Sequence, residues 1–351
     1  MKDIRDYSLL AHNTFGIDAK CRRFLEYSSV EEAQQIVAAL TDADKPLLIL
    51  GGGSNLLLTG DYQGTVLHSS IMGIEVLGNG ELAAAEHDDA LLNPEFVFLR
   101  CGSGEVFDDV VAYAVEHGYH GAENLSIIPG EVGASAVQNI GAYGVEAKDI
   151  IYKVEAVEIA TGRVVVFDNQ DCHYCYRQSK FKHEWKDKYL VTHVVYRLSR
   201  SFVPDLDYGN IRASLAAKHI ENPTAQQLRD VIIEIRNAKL PDPKVQGNAG
   251  SFFMNPIVDK AKYEELAAQY PGMPHYTIDE EHEKVPAGWM IDQCGWKGKS
   301  LGRAGVHDKQ ALVLVNRGGA TGGEIVNLCE TIRKDVKQKF GIDIHPEVNV
   351  K

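Results

Sequence analysis

The sequence predicts an α+β protein of more than one domain, and three observations carry that prediction. Short apolar runs lead into or alternate with glycine-rich segments at 51–55, 127–144 and 247–256. Residues 150–168 and 189–198 alternate in the manner of strands, with a turn at Thr161-Gly162. The pairs Ser29/Glu32, Thr224/Gln227 and Thr321/Glu324 have capping-box spacing, and each opens an amphipathic helix.

At 351 residues the chain is long enough for two or three domains around a large core, and its 44% hydrophobic and 24% charged content is that of a globular protein. The net charge of −13 repels nucleic acid and anionic membrane, so neither is expected as a partner. A phosphate-bearing ligand must then be held by local groups. Nothing approaches the roughly 20 apolar residues that cross a bilayer, and Met-Lys-Asp-Ile-Arg-Asp lacks a secretory h-region, so a cytoplasmic location is expected. Of the six cysteines only Cys172-His173-Tyr174-Cys175 forms C-x-x-C; without a second pair, reduced thiols and no metal are expected.

Taken in order, Ser29 opens a helix with Ala33, Ile36, Val37 and Leu40 on one face. The run Leu47 to Leu50 then leads through Gly51-Gly52-Gly53-Ser54-Asn55 to Leu56-Leu57-Leu58, a βαβ-like opening whose turn can cradle a diphosphate. Residues Ala83 to Pro94 read as an acidic loop between strands. Phe96 to Cys101 is a strand, followed by Gly102-Ser103-Gly104 and a helix ending near Gly118. This mimics the dinucleotide fingerprint, with Glu123 near the acidic position, but Phe107 is too bulky for the third glycine and argues against a Rossmann site.

The stretch from Ile127 to Gly144 reads as a long loop presenting backbone: glycines stand at 130, 133, 141 and 144, and the polar side chains are Ser135, Gln138, Asn139 and Tyr143. Its one charge, Glu131, lies near the expected phosphates and should point to solvent. Val203 to Asn210, with Pro204 and Gly209, reads as a connection between domains. Thr224 opens a helix with Leu228, Val231, Ile232 and Ile235 as its stripe, and Arg236 and Lys239 near its end suit the helix dipole. Pro241-Asp242-Pro243 stops it, and a second backbone-presenting loop, Gly247 to Pro256, runs into a short strand. Short elements follow at 289–293, 306–307 and 311–316, and the last helix carries Ile325, Leu328, Ile332 and Val336 before Gly341.

Three glycine loops on two domains of an acidic chain fit an extended dinucleotide cofactor in one domain and a phosphate-bearing substrate at the other. No loop is G-x-x-x-x-G-K-[ST], which excludes an ATP-hydrolysing P-loop and leaves a flavin-type or other large cofactor.

Seven blocks, in order, resemble the UDP-N-acetylenolpyruvoylglucosamine reductase family: Asn13-Thr14-Phe15-Gly16, Gly51 to Asn55, Ile128-Pro129-Gly130-x-x-Gly133, Gln138 to Gly144, Tyr176-Arg177-x-Ser179-x-Phe181-Lys182, Gly247 to Phe253, and Pro346-Glu347-Val348. The resemblance implies a FAD-binding fold of the vanillyl-alcohol-oxidase (PCMH) type plus a C-terminal α+β substrate-binding domain. It divides the chain into FAD-binding subdomains at 1–70 and 71–215, a substrate-binding domain at 216–340, and a tail at 341–351 that returns a glutamate to the site. It also implies the reaction, in peptidoglycan precursor synthesis: NADPH, as co-substrate, gives hydride to flavin N5, and the flavin passes it to the terminal carbon of a UDP-N-acetylglucosamine enolpyruvate.

Residue by residue, the resemblance assigns catalysis to Arg177, Ser251 and Glu347. A fixed guanidinium suits charge developing beside a carboxylate, Ser251 resembles the proton donor to carbon, and Glu347 would share or orient a proton, with a raised pKa. FAD contacts fall on Gly51, Gly52, Gly53, Ser54, Asn55, Ile128, Pro129, Gly130, Gly133, Ser135, Gln138, Asn139, Gly141, Ala142, Tyr143 and Gly144. Contacts to the uridine diphosphate sugar fall on Tyr208, Lys239, Asn255 and Gln310, and Tyr208-Gly209 resembles the longer subtype with a closing tyrosine loop. A monomer is expected. Taken singly, Arg177 reads as a surface ion pair, Ser251 as a turn residue and Glu347 as a solvated acid; the blocks together carry the assignment. Two rivals stay open on the residues alone, an oxygen-using flavin oxidase and a colourless sugar-nucleotide-binding protein.

Overall fold

Leu47–Leu50 is a strand, as the apolar run before the first glycine segment predicts, and it pairs in parallel with Tyr62–Ser69. These two strands extend a four-stranded sheet ordered Lys2–Ser8, Lys20–Tyr27, Tyr62–Ser69, Leu47–Leu50. The helix Val30–Ala39 buries Ala33, Ile36 and Val37 against Leu25, Tyr27 and Leu67, and the Ser29 hydroxyl accepts from the Glu32 amide at its start. The computed structural model describes residues 1–86 and 89–351, and the chain divides into two units. The first comprises Met1–Tyr7, Cys21–Gly52 and Gln63–Ala238; the second comprises Ser8–Lys20, Gly53–Tyr62 and Lys239–Lys351.

The first unit also contains a five-stranded sheet in the order Val164–Asp168, Ile151–Glu158, Tyr189–Ser199, Phe96–Gly102, Ile74–Leu77, with every pairing antiparallel. Val97, Leu99, Val154, Val194 and Tyr196 line one face and pack on the helix Phe107–Glu116. An antiparallel sheet has no parallel βαβ crossover of the Rossmann kind, which is why the Gly102-x-Gly104 mimic is not a Rossmann fingerprint. Gly102 serves close packing instead: a Cβ there would lie 2.3 Å from the Ile71 carbonyl oxygen. Phe107 is buried edge-on to Tyr196, filling the core where a third glycine would leave a void.

Two expectations need correction here. Residues 83–94 are not a plain loop: the helix Asn79–Glu86 runs into the stretch and Asp89–Leu92 is a 3-10 turn, with His87 and Asp88 outside the described residues. Glu81, Leu82, Ala83 and Ala84 are strong helix formers, and Ala83 and Leu91 pack on Phe98 and Val195. Residues 203–210 lie inside the first unit instead of joining two, because Phe202 and Leu206 pack on the helices Ile211–Ala217 and Ala225–Lys239.

The second unit holds two three-stranded sheets, one ordered Ile257–Asp259, His282–Lys284, Tyr276–Thr277 and the other Ser300–Leu301, Ala304–Val306, Leu314–Asn316. Its longest helix, Gly322–Phe340, starts on a reciprocal Thr321/Glu324 capping box and stops at Gly341 with φ 69°. That helix buries Ile325, Leu328, Ile332 and Val336, the stripe that the sequence shows. Asn349–Val350 pairs in parallel with Leu56–Leu57, so the tail is stitched to a segment far back in the chain. No described helix is long and apolar enough to cross a membrane.

Candidate active site

In the first unit the segment 127–144 is not one loop. Val132–Gln138 forms a short helix, a correction whose cause is packing: the Gly133 amide donates to the Ser103 carbonyl at 2.9 Å, and a Cβ on Gly133 would lie 2.9 Å from that of Ser103. Ser135 is buried, with its hydroxyl 2.7 Å from both the Val132 carbonyl and the Tyr196 hydroxyl. Asn139 ends the helix at φ 44°, where its amide nitrogen donates to the Cys175 carbonyl at 2.8 Å and its oxygen accepts from the Lys148 amide at 3.0 Å. Gly141–Ala142 then pairs with Val145–Glu146 in a hairpin whose turn is Tyr143-Gly144.

Backbone strain concentrates here. Ile127, Asn139, Tyr143 and Arg177 all adopt positive φ, at 49°, 44°, 49° and 57°. Each such residue costs on the order of 1–2 kcal/mol, and a β-branched one is an outlier, so the surroundings must impose it. They do: the Ile127 amide donates to Asp108 at 2.6 Å, and Asp108 is itself fixed by the Arg229 guanidinium at 2.7 and 3.0 Å. The Asn124 amide donates to the Tyr143 and Asp205 carbonyls at 2.9 and 3.1 Å. Arg177 donates to the Gly141 carbonyl at 2.5 Å, and its own carbonyl accepts from Lys182 at 2.8 Å. The Tyr143 and Tyr208 rings meet edge to face, 6.3 Å apart.

Arg236 does more than suit the helix dipole: burial, with Arg177 close by, pulls its pKa down, while Tyr143 favours its charge. Its Nε is buried and meets no hydrogen-bond partner among the described residues. The signal was available: Arg236 follows Ile232 by four positions and so continues the buried stripe. Arg177, Arg236 and Tyr143 thus gather two cations and a phenol whose own pKa burial raises. Glu131 also departs from expectation. Its side chain is 14% exposed and folds over the first glycine segment, with Oε2 3.1 Å from where a Cβ on Gly51 would lie. It lies there because His68 is 3.5 Å away and helix packing fixes its backbone.

In the second unit, Gly53 accepts from the Thr14 amide at 3.2 Å, Ser54 and Asn55 form a turn, and Asn55 donates to the Glu347 carbonyl at 3.4 Å. Gly250 has φ 66°, and Ser251 is exposed between it and the buried Phe252. Main-chain bonds clamp this segment: Phe252 donates to the Leu312 carbonyl, Glu347 to that of Phe252, and Met254 to that of His345, at 2.8, 2.8 and 2.9 Å. Ser251 and Glu347 therefore sit on adjacent stretches of one ladder. Asn255 accepts from the Ala287 amide at 2.9 Å, and a Cβ on Gly288 would lie 3.1 Å from the Gln310 Oε1, so both flank the start of the helix Ala287–Gln293. Lys239 is exposed at the end of its helix.

The first unit's residues fit a flavin: a strained, externally braced backbone gives a fixed surface, and the buried Arg236 Nε remains to be matched by an acceptor-rich ring or anion.

Residues 22–168 match the family model described as FAD binding domain. Residues 242–351 match that of the C-terminal domain of UDP-N-acetylenolpyruvoylglucosamine reductase. A protein of that name from Bacteroides fragilis is 55% identical over 343 residues, 98% of either chain. Another, from Porphyromonas gingivalis, is 47% identical over 347 residues, 99% of this chain and 98% of that one. Among solved structures, a UDP-N-acetylenolpyruvylglucosamine reductase from Thermus caldophilus aligns over 99% of this chain and 98% of its own, with a TM-score of 0.66 at 19% identity, a likeness of fold.

Proposed function

The chain belongs to the UDP-N-acetylenolpyruvoylglucosamine reductase family, and from that premise we propose that it reduces UDP-N-acetylglucosamine enolpyruvate to UDP-N-acetylmuramate at the expense of NADPH, as a cytoplasmic monomer in peptidoglycan precursor synthesis. When bound, FAD supplies the chemistry of accepting hydride from NADPH and delivering it to the enolpyruvyl group. Residues 1–70 and 71–215 serve FAD, 216–340 serve the sugar nucleotide, and 341–351 bring in Glu347; of the third stretch, residues up to Ala238 cluster with the first unit.

Ser251 gives the proton to the carbon next to the carboxylate. The observation that carries this reading is the Ser251/Glu347 ladder: three main-chain bonds fix the backbone on which exposed Ser251 precedes two buried phenylalanines, and one of those bonds ties the Glu347 amide to the Phe252 carbonyl. Positioned proton donors of this kind contribute about 10²–10⁴-fold. Glu347 orients or shares the proton, since an ionised acid facing an enolate would oppose it. Arg177 stabilises the charge that develops there, with its fork braced on the Gly141 carbonyl. Lys239 and Tyr208 hold the diphosphate and the sugar, the latter from a closing loop, and Asn255 and Gln310 help from the start of the helix Ala287–Gln293.

An absorbance titration tests this without oxygen. The flavin band near about 450 nm should bleach with NADPH and return when the enolpyruvyl sugar nucleotide is added. Bleaching without return would leave a flavoprotein with another substrate. Full turnover in Glu347→Gln would remove Glu347 from its role.

A further inference from the structure

Glu131 sets a charge problem for the flavin site proposed above, on which this inference rests. Its carboxylate lies against the main chain of Gly51 and Gly52: Cβ atoms placed on those glycines would be 3.1 Å from its Oε2 and 3.6 Å from its Oε1. A cofactor diphosphate cradled by this turn brings two negative charges to the place where one already stands. The second observation is what stands behind the acid. His68 Nε2 lies 3.5 Å from Glu131 Oε1, and His68 Nδ1 lies 3.6 Å from Glu26 Oε2. The three side chains are 9, 14 and 14% exposed, so solvent screens them little.

Charged and titratable groups approach this histidine from three neighbouring stretches. The strand Lys20–Tyr27 contributes Glu26 and Tyr27, and Phe24 packs its ring on the imidazole at 5.7 Å between centroids. Tyr27 is fully buried and its pKa is pushed far up, chiefly by that burial, so it stays neutral. The strand Lys2–Ser8 contributes Lys2, whose ammonium meets the other oxygen of Glu26 at 2.5 Å. The residue before the helix Val132–Gln138 is Glu131 itself. With a neutral imidazole, Lys2 balances Glu26 and the charge on Glu131 is left over. With an imidazolium, the charges of these four side chains sum to zero.

We propose that His68 and Glu131 form a proton-coupled seat for the cofactor diphosphate, taking up one proton from solvent when FAD binds. The proton goes to the His68/Glu131 pair, and no bond to the cofactor forms or breaks. The bound state then holds more protons than the free state, so affinity rises as pH falls and declines as pH rises, by up to about tenfold per pH unit for one proton. His68 is a positioning residue in this scheme: it permits an acid to line the turn without expelling the diphosphate.

Two measurements on the full chain test it. FAD release from the holoenzyme is followed by flavin fluorescence between about pH 6 and pH 9, a range that spans imidazole titration. FAD binding to the stripped protein is followed by calorimetry in buffers of different ionisation enthalpy, which counts protons. The wild type should release FAD more readily as pH rises and take up a sizeable fraction of one proton on binding. Glu131→Gln should hold FAD at high pH and lose both the slope and the uptake. His68→Asn should also lose the slope, but with weaker retention throughout, and it decides the matter should the first variant fold poorly. A flat wild-type profile with no uptake, or a wild-type slope persisting in both variants, overturns the proposal while leaving FAD binding intact. A chain that binds no FAD at any pH overturns the flavin site itself.

Discussion

The two long glycine-rich segments hold their backbones with different emphasis. In 127–144 Ile127, Asn139 and Tyr143 take left-handed conformations in addition to the positive φ of Gly130 and Gly144, and side chains from elsewhere, Asp108, Asn124 and Arg177, reach in to brace the main chain. In 247–256 a glycine, Gly250, takes the positive φ, and main chain pairs with main chain: Asn316 donates to the Gly247 carbonyl at 2.8 Å, next to the bonds that clamp Phe252 and Met254. The first arrangement fixes an extended stretch of backbone, which suits the large cofactor proposed for it. The second fixes a single side chain, Ser251, on a rigid mount. Glycine content alone cannot tell these purposes apart.

The comparison breaks most sharply at Ser251. Ser251→Ala should lower turnover of the sugar nucleotide by about 10²–10⁴-fold while NADPH still bleaches the flavin, because the role proposed for Ser251 belongs to the second half-reaction alone. Equal loss in both half-reactions, measured by stopped flow, would make the second segment structural. Next in size is the bracing of the first segment. Asn139→Ala forces an ordinary residue into φ 44° and strips two hydrogen bonds, at a cost of about 3–5 kcal/mol. Asn139→Gly should cost about 1–2 kcal/mol less, since it removes the strain and keeps only the lost bonds. Equal denaturation midpoints for the two would show that strain is not stored there.

The second segment gives a matching pair. A Cβ on Gly247 would lie 2.2 Å from the Phe15 carbonyl oxygen, so Gly247→Ala should cost about 2–3 kcal/mol by displacing backbone. Around Gly250 nothing lies within 4 Å, and only conformation opposes a side chain, at about 1–2 kcal/mol. Urea melts that ranked Gly250→Ala as the costlier change would reverse this account. Smallest is the contrast between helix starts. Thr321 and Glu324 cap each other reciprocally, whereas Glu32 sends its carboxylate to Ser28 and not to the Ser29 amide. Thr321→Ala should cost about 1 kcal/mol and Ser29→Ala somewhat less, read from melting temperatures.

Most regular elements were legible where local chemistry agrees with the fold. The caps at Ser29, Thr224 and Thr321, the stripe of Gly322–Phe340 and the alternation at 151–168 all predict what forms. The helix Val132–Gln138 was not legible, since Val-Gly-Ala-Ser-Ala-Val-Gln shows no amphipathic period and contact with Ser103 decides its conformation. Lys260–Gln269 was also hidden, because Leu266 is its one buried residue. Glycine-rich blocks pointed to the right stretches of chain, while Arg236 and the inward turn of Glu131 depend on neighbours over a hundred residues away or on another element's histidine, which no local pattern encodes.

The sharing of short early segments with a late one has a consequence for how the protein can be made. Leu9, Phe15, Leu56, Leu57 and Leu58 are buried residues of the second unit, yet they precede most of the first in sequence. Gly322 abuts the Leu58 carbonyl so closely that a Cβ there would come within 1.9 Å of the oxygen. Neither unit is therefore a contiguous cassette that could be excised, swapped into a chimaera or expressed by itself without leaving an apolar wound. A nascent chain must carry those leucines unsatisfied through synthesis of the intervening residues, a burden of long-range closure that slows folding and calls on chaperones.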